Sequence, residues 1–146
     1  MRDWLSRYPD TRVLVVQSPG GMRWQALELA DLLNARGITV RVDGRCASAC
    51  ALLWAAADSR EMEVGSRLGL HSSRLPTPLP LPATVRQWIA AFNDRRTDRV
   101  LRDAGFPERV IEQGSRTPPT SMSWFDSADL RAGDVPFVLR DRERNG

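Results

Sequence analysis

Lysine is absent from this chain: all 21 basic residues are arginine, a bias that coding preference accounts for as readily as function. The arginines are scattered and interleaved with acids, as in Arg140-Asp141-Arg142-Glu143-Arg144, so no basic stripe with interleaved aromatics exists for nucleic acid, and no nucleic-acid partner is expected. Histidine occurs once, at His71, and cysteine twice, at Cys46 and Cys50. Two sulfurs and one imidazole make a poor zinc set, so neither metal nor cofactor is expected. No apolar run approaches the roughly 20 residues that cross a bilayer. The opening Met1-Arg2-Asp3-Trp4 lacks the apolar core of a signal peptide, so the chain reads as soluble, and a membrane anchor is expected only in a longer natural chain. Cys46 and Cys50 read either as two buried thiols packing as small hydrophobes, which a cytosolic setting favours, or as a disulfide, which implies an oxidising compartment.

What is present suits one ordinary domain over residues 1–146. The 42% hydrophobic and 27% charged composition is that of a globular chain of a size that buries a core without a metal or disulfide framework. Residues 2–9 suit a short helix. Arg12-Val13-Leu14-Val15-Val16 is a β-branched apolar run that predicts a buried strand. Met22, Ala26, Leu29, Ala30 and Leu33 share one face of a helix that Gly37 stops. Ile38 to Val42 alternates as a strand, and Asp43-Gly44 is expected to turn. Residues 49–57 are small, apolar and uncharged, which predicts a helix buried on nearly all sides. Residues 67–71 suggest a short strand.

Alternation of strand and helix predicts an α/β fold with a mostly parallel sheet and crossover helices. Prolines at 76, 78, 80 and 82 make residues 72–82 an extended, Pro-rich loop. A long helix is expected over 83–104, with Val85, Ile89, Phe92, Val100 and Leu101 as its apolar residues. A short helix over 107–113 and a last one over 128–132, N-capped by Ser127, precede the apolar run 135–139.

Three segments carry potential chemistry. Ser18-Pro19-Gly20-Gly21 follows a strand, and its glycines permit a backbone N–H to face a developing oxyanion, although Pro-Gly-Gly is also common turn chemistry. Ser48 stands where a strand meets the buried helix, either as a nucleophile near the positive end of that helix or simply as its N-cap. His71 ends a short strand and is the one residue able to serve as an imidazole base. All three fall at the C-terminal ends of predicted strands, the edge where open parallel α/β sheets place their ligands.

The succession Val13-Leu14-Val15-Val16-Gln17-Ser18-Pro19-Gly20-Gly21, Cys46-Ala47-Ser48-Ala49-Cys50 and Leu68-Gly69-Leu70-His71 resembles the proteolytic subunit of Clp protease, within the crotonase superfamily. It is most similar to bacterial Clp-like proteins, often extracytoplasmic, that carry a Cys-x-Ser-Ala-Cys motif. The likeness covers residues 4–71, and Trp124 to Gly133 resembles the family's closing helix-and-glycine segment. It implies a spiral of βαβ units and a serine peptidase. Ser48 would be the nucleophile, His71 the general base, and the backbone N–H groups of Gly21 and Ala49 the oxyanion hole. It further implies a peptide or protein substrate, a homo-oligomer as one assembly and a periplasmic or membrane-associated location.

Two features depart from the pattern. Where the family keeps an Asp before an aromatic residue, this chain has Ser121, Met122 or Ser123, with Asp126 and Asp129 nearby as a solvated turn residue and a first-turn helix acid. The family's first βα unit has no counterpart here, which would expose a sheet edge or call for a partner. These departures motivate an alternative, a catalytically inactive Clp-like binding or assembly module. A crotonase-type acyl-CoA enzyme is disfavoured, because such enzymes rely on carboxylates rather than a Ser–His pair.

Overall fold

A computed structural model describes residues 2–73, 75 and 80–141, with the side chain of Arg2 left out. Pro76 and Pro78 of the Pro-rich loop, and Arg142, Glu143 and Arg144 of the charged tail, lie outside the described residues. The elements in chain order are α1 (Arg2–Arg7), β1 (Val13–Ser18), α2 (Arg23–Asn34), β2 (Thr39–Ala47), α3 (Ala49–Ala56), β3 (Arg60–Glu63), β4 (Arg67–Leu70), α4 (Ala83–Asp103), α5 (Glu108–Arg116), β5 (Ser123–Phe125), α6 (Ser127–Arg131) and β6 (Val138–Arg140).

β2 organises the sheet. β1 pairs along one of its edges, while its other edge takes β3 against Val40–Val42 and β4 against Arg45–Ala47. One strand thus serves two neighbours in succession and the sheet curls where they change over. Asp43-Gly44, expected to turn the chain, lies inside β2 instead. The positive φ of Gly44, 99°, is a conformation that L side chains rarely adopt, and a Cβ there would stand 3.1 Å from the Gln17 side chain. A glycine therefore lets the strand bend without ending.

The sheet is mixed, which corrects the expectation of a mostly parallel one. β5 returns antiparallel onto β4, pairing Leu68 with Phe125 and Leu70 with Ser123, while β6 closes the opposite end parallel to β3. A βα alternation signals parallel crossovers only while it lasts, and after α5 the chain returns to the sheet in three-residue strands with little periodicity to read. β1, expected to be buried, is instead partly exposed, with Val15 at 53%. Among the described residues it pairs only with β2, so no strand pairs along its other edge.

The core lies between the sheet and the helices. Ala26, Ala30 and Leu33 of α2 meet α3, which is buried from Ala49 to Ala55 as its composition predicts. Trp54 is fully buried, donates from Nε1 to the Glu61 carbonyl (2.8 Å) and meets Phe106 and Phe137 edge-on. That geometry pairs the positive ring edge with a π face while satisfying the one polar atom. In α4 only Leu101 is buried; Val85 and Phe92, expected on its apolar face, are exposed along with Trp88. Ser127 does not cap α6. Asp126 does, accepting from the Asp129 N–H while the Asp129 carboxylate accepts from the Asp126 N–H, a reciprocal capping box.

Candidate active site

Strand register explains why three distant segments meet. Ser18 lies beside Cys46, and Cys46 beside Leu68, on neighbouring parallel strands. The residues that follow leave the same end of the sheet: Gly20-Gly21 after β1, Ser48 after β2 and His71 after β4. The Ser48 N–H extends the ladder by donating to the Gly69 carbonyl at 2.8 Å. Gly21, Ser48 and His71 all line one cleft of about 690 Å³, walled by Met22, Trp24, Leu27, Leu52, Leu70 and Val100 among others.

Ser48 is the N-cap residue of α3 by position, yet its side chain makes no capping hydrogen bond. Its backbone lies at φ 55° and ψ −118°, the only positive φ of a non-glycine among the described residues. Such a conformation costs roughly 1–3 kcal/mol and persists only where the surroundings impose it. Two of those surroundings are identifiable. Cys46 and Cys50 form a disulfide, with Cα atoms 5.2 Å apart, that ties the end of β2 to the first turn of α3 across Ser48. The reading as two free thiols is thereby corrected. Gly20, at φ 123°, brings its backbone against the serine so closely that a Cβ there would lie 3.0 Å from Ser48 Cβ. Ser18 Oγ accepts from the Gly20 N–H and donates to the Gly20 carbonyl, both at 3.2 Å, holding that turn.

The N–H groups of Gly21 and Ala49 take part in no hydrogen bond among the described residues. Gly21 lines the cleft, and Ala49 opens α3, whose first amides have no intrahelical acceptor. Ala49 itself is buried and is not among the residues that border the cleft.

His71 is half-buried, and its Nδ1 meets the Ser72 carbonyl oxygen at 2.6 Å. A carbonyl can only accept, so Nδ1 carries a proton, and in the neutral ring Nε2 is the acceptor. No hydrogen bond joins Ser48 Oγ to His71 among the described residues; both residues border the cleft. Neither Asp126 nor Asp129 serves His71. They cap α6, and Asp129 also accepts from Arg109 at 2.8 Å, a bond that holds its carboxyl below the usual range, with the Asp126 backbone N–H adding to this and burial opposing.

A second cluster flanks the histidine, and the sequence reading missed it. Arg23 Nη1 donates to Ser73 Oγ (2.5 Å), Thr97 Oγ1 (3.0 Å) and the Asn93 carbonyl (3.2 Å), while the Ser73 N–H and hydroxyl both donate to Asp94 Oδ1. Burial lowers the Arg23 guanidinium pKa from its ordinary value; Asp94 opposes this and Arg96 adds to it. These residues come from α2, α4 and the segment after β4, with bonded partners 21 to 74 positions apart, so no local spacing could have signalled them. Comparison with protein-family models and with curated proteins finds no match, and the functional reading therefore rests on the residues and their geometry.

Proposed function

We propose that this protein is a serine hydrolase acting on peptide or ester carbonyls, built as a spiral of βαβ units of the Clp-protease and crotonase kind. The observation that carries the reading is the Ser48 backbone: an uncapped serine at positive φ, on a sharp turn from strand to helix, in the cleft that His71 borders. A capping serine has no need of that conformation, whereas a nucleophile gains from it because the turn lifts Oγ out of the sheet end toward a substrate.

The chemistry follows from the hydrogen bonds. Nε2 of His71, left basic by the Nδ1–H to Ser72 bond, takes the Ser48 proton as Oγ attacks the carbonyl carbon. The carbonyl oxygen, now anionic, receives the N–H groups of Gly21 and Ala49. His71 returns the proton to the leaving amine or alcohol, and the acyl group stays on Ser48. Water then attacks the ester, giving its proton to His71, and Ser48 leaves as the hydroxyl. The cleft walls from Met22, Trp24, Leu27 and Leu52 favour an apolar group next to the scissile bond. The disulfide suits an oxidising compartment such as the periplasm.

Labelling with a fluorophosphonate, read by intact mass, tests this. One adduct is expected on the wild type and none on Ser48→Ala or His71→Ala. Equal labelling of wild type and Ser48→Ala, or no adduct on folded wild type, would overturn it and favour the non-catalytic binding module.

A further inference from the structure

The His71 ring is oriented by a backbone carbonyl, and the same peptide unit carries a second bond on its other side. The Ser72 carbonyl accepts from His71 Nδ1–H at 2.6 Å; the Ser73 N–H, at the other end of that amide, donates to Asp94 Oδ1 at 2.7 Å. We infer that Asp94 is the displaced orienting acid of this site, acting on His71 through the Ser72–Ser73 peptide bond rather than by direct contact.

An amide whose N–H is bonded to a carboxylate is polarised, and negative charge gathers on its oxygen; successive hydrogen bonds of this kind strengthen one another. The Ser72 oxygen therefore becomes a stronger acceptor for Nδ1–H, which fixes the tautomer that leaves Nε2 basic. It also better supports the positive charge that His71 gains when it takes a proton. Asp94 is placed for this role by more than one contact. It accepts from both the Ser73 N–H and the Ser73 hydroxyl, and Arg23 Nη1 stands 4.0 Å away. The Ser72 N–H is held in turn by the Thr117 carbonyl at 2.8 Å.

Among the described residues that line the cleft, the charged ones are Arg23 from α2 and Arg96 from α4. The neighbouring walls from α3 and from the segment after α5 supply Ser48, Leu52 and Pro119, none of them charged. Asp94 is thus, among the described residues, the one anion bonded to the peptide unit that holds His71. Arg23 offsets part of its charge, so the effect is smaller than that of a directly bonded acid, whose loss costs about 10⁴ in rate.

The inference rests on His71 acting as the base of the proposed hydrolase, but its primary test does not depend on activity. The chain has one histidine, so long-range proton–nitrogen spectra of the ¹⁵N-labelled, tag-free protein contain one pair of ring nitrogens. The wild type should show the Nδ1–H tautomer. Asp94→Asn keeps an acceptor for the Ser73 N–H but removes the charge, and the Nε2–H tautomer should grow. Turnover of an activated ester should fall roughly tenfold in kcat with KM within about twofold, since the loss falls on the transition state. Asp94→Glu should recover most of both. Ser73→Ala, which removes the hydroxyl and keeps the peptide N–H, should retain the Nδ1–H tautomer.

An unchanged tautomer in folded Asp94→Asn would overturn the inference. So would a Ser73→Ala shift as large as that of Asp94→Asn, which would reduce Asp94 to a clamp on the loop. A tautomer that responds to Asp94 in a protein that labels with no fluorophosphonate would uphold the relay and remove the hydrolase reading.

Discussion

Gly20 presses on Ser48 from the turn that follows β1, and this makes it the residue whose replacement should most directly disturb the serine. A methyl group at 20 would lie 3.0 Å from Ser48 Cβ and 3.1 Å from the Ala47 carbonyl oxygen, on a backbone at φ 123° that L residues rarely adopt. Gly20→Ala should therefore lose about 1–3 kcal/mol in urea denaturation and label poorly at Ser48 with a fluorophosphonate. A variant with wild-type stability and labelling would show that the turn tolerates displacement and that Gly20 does not shape the serine. At this scale the sequence was legible for the placement of Gly20, Gly21, Ser48 and His71 at strand ends, three of which line one cleft. Asp94 was not, because its influence passes through a peptide bond that only the folded chain brings to it.

Among the elements, the junction of β2 and α3 carries the candidate site, and its disulfide is the feature open to manipulation. The bridge closes a loop of only four residues in sequence separation, for which loop-closure entropy gives about 2 kcal/mol. Because Cys46 and Cys50 are buried, reduction needs partial unfolding or mild denaturant. The dithiol form should have a lower urea midpoint corresponding to that loss, and Ser48 labelling should slow as the turn relaxes; equal labelling rates in both forms would show that Gly20 and the helix suffice. α4 shows the limit of periodicity. Its apolar spacing predicted a helix correctly, yet Val85 and Phe92 face solvent, since spacing reports that a face exists and not whether anything covers it. β3 was missed because Arg60-Glu61-Met62-Glu63 alternates charge with little apolar signal, and its carboxylates are matched only by partners from other strands.

Across the whole molecule those partners form an ionic seam on the sheet. Glu61, 7% exposed, accepts from Arg140 (2.7 Å) and Arg41 (2.6 Å), and Arg41 also lies 3.5 Å from Glu63. The Arg140 hydrogen bond holds the Glu61 carboxyl below its usual range, burial opposes it, and Arg41 adds to the lowering. A carboxylate with a depressed native pKa contributes stability above its unfolded value of about 4.3, and that contribution disappears as the pH falls through the lower native value. Removing one partner from a buried pair costs 3–5 kcal/mol; with Arg140 half exposed and Arg41 keeping Glu63, Glu61→Gln should lose about 2 kcal/mol. Urea denaturation at pH 7 and near pH 3 should show that difference shrinking in acid. A constant difference would mean that shape, not charge, is what the glutamate supplies.

By itself the amino-acid sequence determined the α/β class, the buried α3, the positions of most helices and the strand-end placement of Gly21, Ser48 and His71. These follow from residue size, periodicity and the turn chemistry of glycine, all of which act over a few neighbouring positions. Only the tertiary structure decided the mixed and curled sheet, the strained Ser48 backbone, the tautomer of His71 and the place of Asp94 behind it. Each of those depends on which strands share an edge and which hydrogen bonds cross between distant segments, and such pairings leave no mark in the order of residues along either segment.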